Sequence, residues 1–111
     1  MEEYIGGKLV VAAVTQEMMN KLGIACDELE GLAPITLQLE DTEVGVLMRE
    51  REPGEFKCSF RSADEVNVSE ICRTLGGGGH AKAAGCTLSG SVEQVKAVVI
   101  EAVEKALLWT V

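Results

Sequence analysis

Hydrophobic positions recur with a period of two in some stretches of this chain and of three to four in others, and the change of period delimits its elements. Lys8 to Val14 is rich in valine and reads as a buried strand. Thr15 is placed to cap a helix carrying Met18, Met19 and Leu22, which stops at Gly23. Asp27-Glu28-Leu29-Glu30 has the form of a capping box, so a second short helix is expected there, with Pro34 disturbing or ending it. Ile35 to Glu40 suits strand and helix equally. The pattern then sharpens. Val44, Val46 and Met48 alternate, Glu50-Arg51-Glu52-Pro53-Gly54 supplies turn residues, and Phe56, Cys58 and Phe60 alternate again. This predicts a β-hairpin with one buried face, whose second strand turns Lys57, Ser59 and Arg61 the other way. Asn67-Val68-Ser69-Glu70 opens a helix with Val68, Ile71, Cys72 and Leu75 on one stripe, and Gly76 closes it. Ala84 to Leu88 is expected to form a strand. Ser91 with Gln94 caps a last helix whose apolar face runs through Val92, Val95, Val99, Ala102, Val103 and Ala106. The sum is an α+β domain: a mixed β-sheet with packed helices.

At 111 residues, 47% of them hydrophobic, the chain is sized for a single domain with one modest core. Leu9 to Val14 is far too short to cross a bilayer and no signal-peptide pattern precedes it, so a soluble, cytoplasmic chain without membrane contact is expected. Cys26, Cys58, Cys72 and Cys86 lie 32, 14 and 14 residues apart, with no C-x-x-C pair. Each sits among apolar residues, so they read as small core hydrophobes, not as zinc ligands or a disulfide framework. Eighteen acidic residues against ten basic ones give a net charge of −8. That excludes a protein that coats long nucleic acid through a broad basic surface, and leaves room for a small, locally basic pocket.

The candidate chemistry is concentrated in Gly76-Gly77-Gly78-Gly79-His80. Four consecutive glycines contribute nothing to a core and are costly to order, so the backbone itself is expected to come close to a ligand, as in an anion-cradling loop. The pattern is neither a Walker A loop nor a dinucleotide fingerprint, because it lacks the Lys-Ser/Thr pair and follows a helix. His80, the one histidine, cannot hold a metal unaided; beside the glycines it suits hydrogen bonding to phosphate. Lys57 and Arg61, with Arg49 across the hairpin, are a second source of phosphate-binding groups. No nucleophile lies beside a base.

The string from Gly76 to Leu88, Gly-Gly-Gly-Gly-His-Ala-Lys-Ala-Ala-Gly-Cys-Thr-Leu, resembles the signature of the DHHA1 domain of DHH phosphoesterases. Lys57-Cys58-Ser59-Phe60-Arg61-Ser62, the segment from Asp64 to Leu75, and Val44 to Glu50 resemble the stretches that precede it in that family. The likeness covers nearly the whole chain and is strongest over residues 44–95. Within the family it is most similar to the C-terminal domain of bacterial bifunctional oligoribonuclease/pAp phosphatases; cyclic-di-AMP phosphodiesterases carry a similar motif. The resemblance implies a DHHA1-like fold that grips a nucleotide across a cleft, opposite an N-terminal DHH domain that holds manganese. It implies that Gly77, Gly78, Gly79 and His80 contact substrate phosphate or the terminal nucleotide, and that Arg49, Lys57, Arg61 and Ser62 line the same pocket. No Asp-His-His motif occurs here, so no catalytic residue, metal site or other cofactor is expected in this chain. Three readings follow. The first is a substrate-binding domain for short RNA or adenosine 3′,5′-bisphosphate, partnered by a DHH domain. The second is a regulatory module that senses nucleotides, cyclic dinucleotides included, without a hydrolase. The third is a purely structural or homodimerisation domain, using the apolar last helix and Trp109.

Overall fold

The computed structural model describes residues 1–39 and 41–109, the last of these by its backbone alone. Among them, six strands form one mixed sheet: β1 (Glu2–Tyr4), β2 (Leu9–Val14), β3 (Val44–Glu52), β4 (Glu55–Ser62), β5 (Gly78–His80) and β6 (Ala83–Ser89). Their spatial order is β1-β2-β3-β4-β6-β5, with β2 and β3 parallel and every other pair antiparallel. Helices α1 (Gln16–Leu22), α2 (Val68–Thr74) and α3 (Val92–Trp109) and a 3-10 segment (Cys26–Leu37) complete the fold. The α+β class read from the sequence holds.

The caps are where the residue types put them. The Thr15 hydroxyl accepts from the Met18 N–H at 3.2 Å, and Gly23 closes α1 with φ of 67°. Asn67 Oδ1 accepts from the N–H groups of Ser69 and Glu70 at 3.0 and 3.3 Å. At the start of α3 the Ser91 N–H donates to Gln94 Oε1 at 2.9 Å while the Gln94 N–H donates to Ser91 Oγ at 3.1 Å, a reciprocal capping box.

A parallel pair needs a crossover, and α1 with the 3-10 segment provides it. These cover one face of the sheet at β2 and β3, burying Met19, Leu29, Ala33 and Leu47 together. The other face is covered by α2 and α3: Leu9, Val46, Met48, Phe56, Cys58 and Phe60 pack with Val68, Ile71, Val95, Val99 and Val103. The apolar stripe of α3 therefore meets the chain's own sheet. The Trp109 side chain lies outside the described residues. No described helix is long and apolar enough to cross a membrane.

Two local expectations are corrected, and one strand is added. The segment after Cys26 continues through Pro34 to Leu37, because it is a 3-10 helix, whose looser demands accommodate the missing N–H that would break an α-helix. The short edge strand β1 has no alternating pattern to announce it. The glycine run is not a free loop. Gly76, at φ of 86°, ends the helical turn, the Gly77 N–H donates to the Cys72 carbonyl at 2.7 Å, and Gly78–His80 pairs with Ala83–Gly85 as an edge strand.

Candidate functional site

Strand register builds the site. Across β4, β6 and β5 the partners run Lys57–Thr87, then Ser59–Gly85–Gly78, then Arg61–Ala83–His80. Residues facing one another across paired strands share a face, so Lys57, Arg61 and His80 stand on one side of the sheet. Between them runs a row with almost no side chains. Lys57 and Arg61 are ~13 Å apart along β4, and Arg61 and His80 are two strand spacings, ~10 Å, apart across the sheet. Lys57 and Arg61 are half-buried and His80 is exposed. No described helix lies over β5 and β6 on this face. A concavity of about 360 Å³ opens there, lined by Lys57, Gly76, Gly77, Gly78, Gly85, Cys86 and Thr87.

The glycines are required for two separate reasons. A Cβ on Gly77 would collide with the Gly85 carbonyl oxygen and stand 2.7 Å from Cys86 Cβ. Gly79, on the opposite side of β5 from its neighbours, has φ of 146° and would place a Cβ 2.6 Å from Ala84 Cα. Both positions let β5 press against β6. Gly78 is different: it has open space beside it and no positive φ. Its missing side chain serves the concavity and not the packing.

The local charge runs against the acidic whole. The described ion pairs engage Lys21, Arg51, Lys96 and Lys105. Among the described residues, Lys57, Arg61 and Lys82 have no carboxylate partner. Arg61 donates one bond, from Nη1 to the Phe60 carbonyl at 3.0 Å. Lys57 lines the concavity itself, while Arg61 and His80 stand on the same face outside its lining. Two cations and a histidine on one half-covered face have the chemistry of an anion site.

Two expected members are placed elsewhere. Arg49 faces the same way as Lys57, its register partner, but the 3-10 segment covers it completely. Its Nη1 donates to the Cys26 carbonyl at 3.0 Å and its Nη2 to Ser59 Oγ at 3.2 Å, while Nε has no partner among the described residues. In this conformation Arg49 ties the 3-10 segment to the sheet and touches no surface. Ser62 lies in register with Val44, on the core face, and is buried. Gly76, part of the glycine run, joins the concavity, and Gly85 and Thr87 join it without having been expected there. Only the β4–β6–β5 register, which is not local in sequence, could have pointed to these two.

A larger concavity of about 820 Å³ lies between α2 and α3, lined among others by Glu65, Glu70, Ile71, Val98, Glu101 and Lys105. With three carboxylates against one ammonium it has the wrong sign for a phosphate.

Residues 6–107 match the DHHA1 domain model. The bifunctional oligoribonuclease and PAP phosphatase NrnA of Thermus thermophilus is 35% identical over 105 residues, which is 94% of this chain and 31% of that protein. The crystal structure of an exopolyphosphatase-related protein from Bacteroides fragilis superposes with a TM-score of 0.87 at 23% identity, over 99% of this chain and 33% of the other. The pGpG-specific phosphodiesterase PggH of Vibrio cholerae gives a TM-score of 0.52 at 20% identity, over 93% and 32%. The chain spans about a third of the length of each of these relatives.

Proposed function

We propose, since this chain belongs to the DHHA1 domain family, that its open half-sheet binds the phosphates of short oligoribonucleotides or of adenosine 3′,5′-bisphosphate for a DHH catalytic domain. The observation that carries the reading is the register that sets Lys57, Arg61 and His80 around the bare Ser59–Gly85–Gly78 row. Arg61 supplies a planar fork for phosphate oxygens, Lys57 a point charge, His80 a hydrogen-bonding ring at the rim. With no side chain at Gly78, a ligand can come close to the sheet there. A pocket of this size grips a few phosphates, which accords with a net charge of −8. Among the described residues no group of histidines, cysteines and carboxylates is placed to hold a metal ion. The manganese that the resemblance assigns to the DHH domain enters no step here. This chain's share is to bind and orient.

The test is a titration of the chain with 5′-phosphorylated diribonucleotide and with adenosine 3′,5′-bisphosphate, following backbone amides by NMR. Shifts centred on Lys57 to Arg61 and Gly76 to Gly85 are expected. Tight binding of a cyclic dinucleotide with no response to these ligands would favour the regulatory reading instead. Silence with all ligands, alone and with a DHH domain added, would sink the phosphate reading.

Two substitutions sharpen it. His80→Ala is expected to weaken binding about tenfold, the worth of one hydrogen bond to a charged group, and to leave the unfolding midpoint unchanged because the ring is exposed. Equal affinity in the variant would remove His80 from the site. Arg61→Ala is expected to weaken binding and to lower the slope of log K against log salt by about 1. An unchanged slope would mean that Arg61 meets no phosphate.

A further inference from the structure

Cys58 of β4 and Cys86 of β6 are direct cross-strand partners with both side chains in the core, and Cys72 of α2 packs into the same cluster. Directly opposed Cα atoms in an antiparallel pair lie ~4.5–5.5 Å apart, inside the ~4.4–6.8 Å range over which a disulfide closes. The neighbouring Cys86 sulfur, with burial added, holds the Cys58 and Cys72 thiols well above the usual thiol range, while Cys58 and then Cys72 draw Cys86 downward, against its own burial. Cys86 is also the least covered of the three, 6% exposed against 0% for the other two.

We propose that Cys86 and Cys58 form a dithiol beneath the glycine strand that hydrogen peroxide converts to a disulfide, with Cys86 reacting first. The Cys86 thiolate attacks one peroxide oxygen and the O–O bond breaks. A sulfenic acid remains, and the departing hydroxide takes up the thiol proton as water. The Cys58 sulfur, giving up its proton, then attacks the Cys86 sulfur; the S–O bond breaks and a second water leaves. Two thiols are oxidised by two electrons, one peroxide is reduced, and the products are one disulfide and two waters. Thiol reductants reopen such a disulfide by exchange.

The experiment exposes the 111-residue chain to hydrogen peroxide, alkylates the remaining thiols under denaturing conditions and maps them by peptide mass spectrometry. Two of the four thiols are expected to disappear into a Cys58–Cys86 link, to return with dithiothreitol, and to leave Cys26 and Cys72 alkylated. Amide shifts at Gly77 and Gly78 should accompany the link, and Cys26→Ser should still form it. A Cys72–Cys86 link, or oxidation confined to the half-buried Cys26, overturns the proposal. Cys86→Ser is expected to leave Cys58 reduced; loss of the Cys58 thiol in that variant would show that Cys86 does not lead. Should that variant fail to fold, the map of the unaltered chain decides alone.

Discussion

Phe60→Ala is expected to cost the chain ~3–5 kcal/mol of stability, the usual loss when a fully buried phenylalanine is cut back to a methyl group. Phe60 is 0% exposed, stands between Val46 and Ala84 in the register of the sheet, and belongs to the cluster under α2 and α3. The cavity would open at the centre of the domain, under helices that are fixed by their own caps and cannot collapse into it freely. In urea this should lower the unfolding midpoint by at least ~1 M without changing the slope. Lys57 and Arg61 alternate with Phe60 on the same strand and face the other way, so their alanine variants should unfold close to the wild type. A near-neutral Phe60→Ala would mean that the two faces of β4 have been assigned the wrong way round.

Gly77→Ala is expected to cost both stability and binding. Its Cβ would enter the Gly85 carbonyl and press on Cys86 Cβ and Cα, at 2.7 and 2.8 Å, and neither neighbour is the yielding end of a long side chain. The backbone must give way, which typically costs ~1–3 kcal/mol. It would also pull on the 2.7 Å bond from the Gly77 N–H to Cys72 that carries the chain from α2 into β5. The contrast is Gly78→Ala, whose Cβ meets nothing within 4 Å. That variant should unfold like the wild type and bind phosphate ligands less well. If Gly78→Ala bound normally, the bare middle row would be a packing necessity and no ligand surface. If Gly77→Ala were as stable as the wild type, β5 would not be held against β6 as described.

Much of this could be read from the chain alone because it is local. Caps at Thr15, Asn67 and Ser91 declare themselves through neighbouring residues, and the 44–60 hairpin through its alternation and turn. What was not legible depends on residues far apart in sequence. Nothing near Gly78 says that it will pair with Gly85 and lie in one row with Ser59, so the glycine run reads as a loop. Nothing near Arg49 says that a segment more than ten residues upstream will fold over it and take its hydrogens. The resemblance implies Ser62 beside Arg61 in one pocket, whereas neighbours in a strand face opposite ways. The three cysteines look unrelated at spacings of 14, and only the placing of α2 over the β4–β6 pair brings them together.

The two walls of the concavity differ in how they can move. One is β4, a central strand whose outward residues alternate one for one with Phe56, Cys58 and Phe60 of the core. That jaw is fixed: it opens only when the whole domain unfolds. The other is β5, three residues long, at the sheet's edge, with only β6 for a ladder partner among the described strands. It can part from β6 for the loss of a few hydrogen bonds, carrying His80 with it. A ligand would therefore meet Lys57 and Arg61 as a preset template and His80 as a latch.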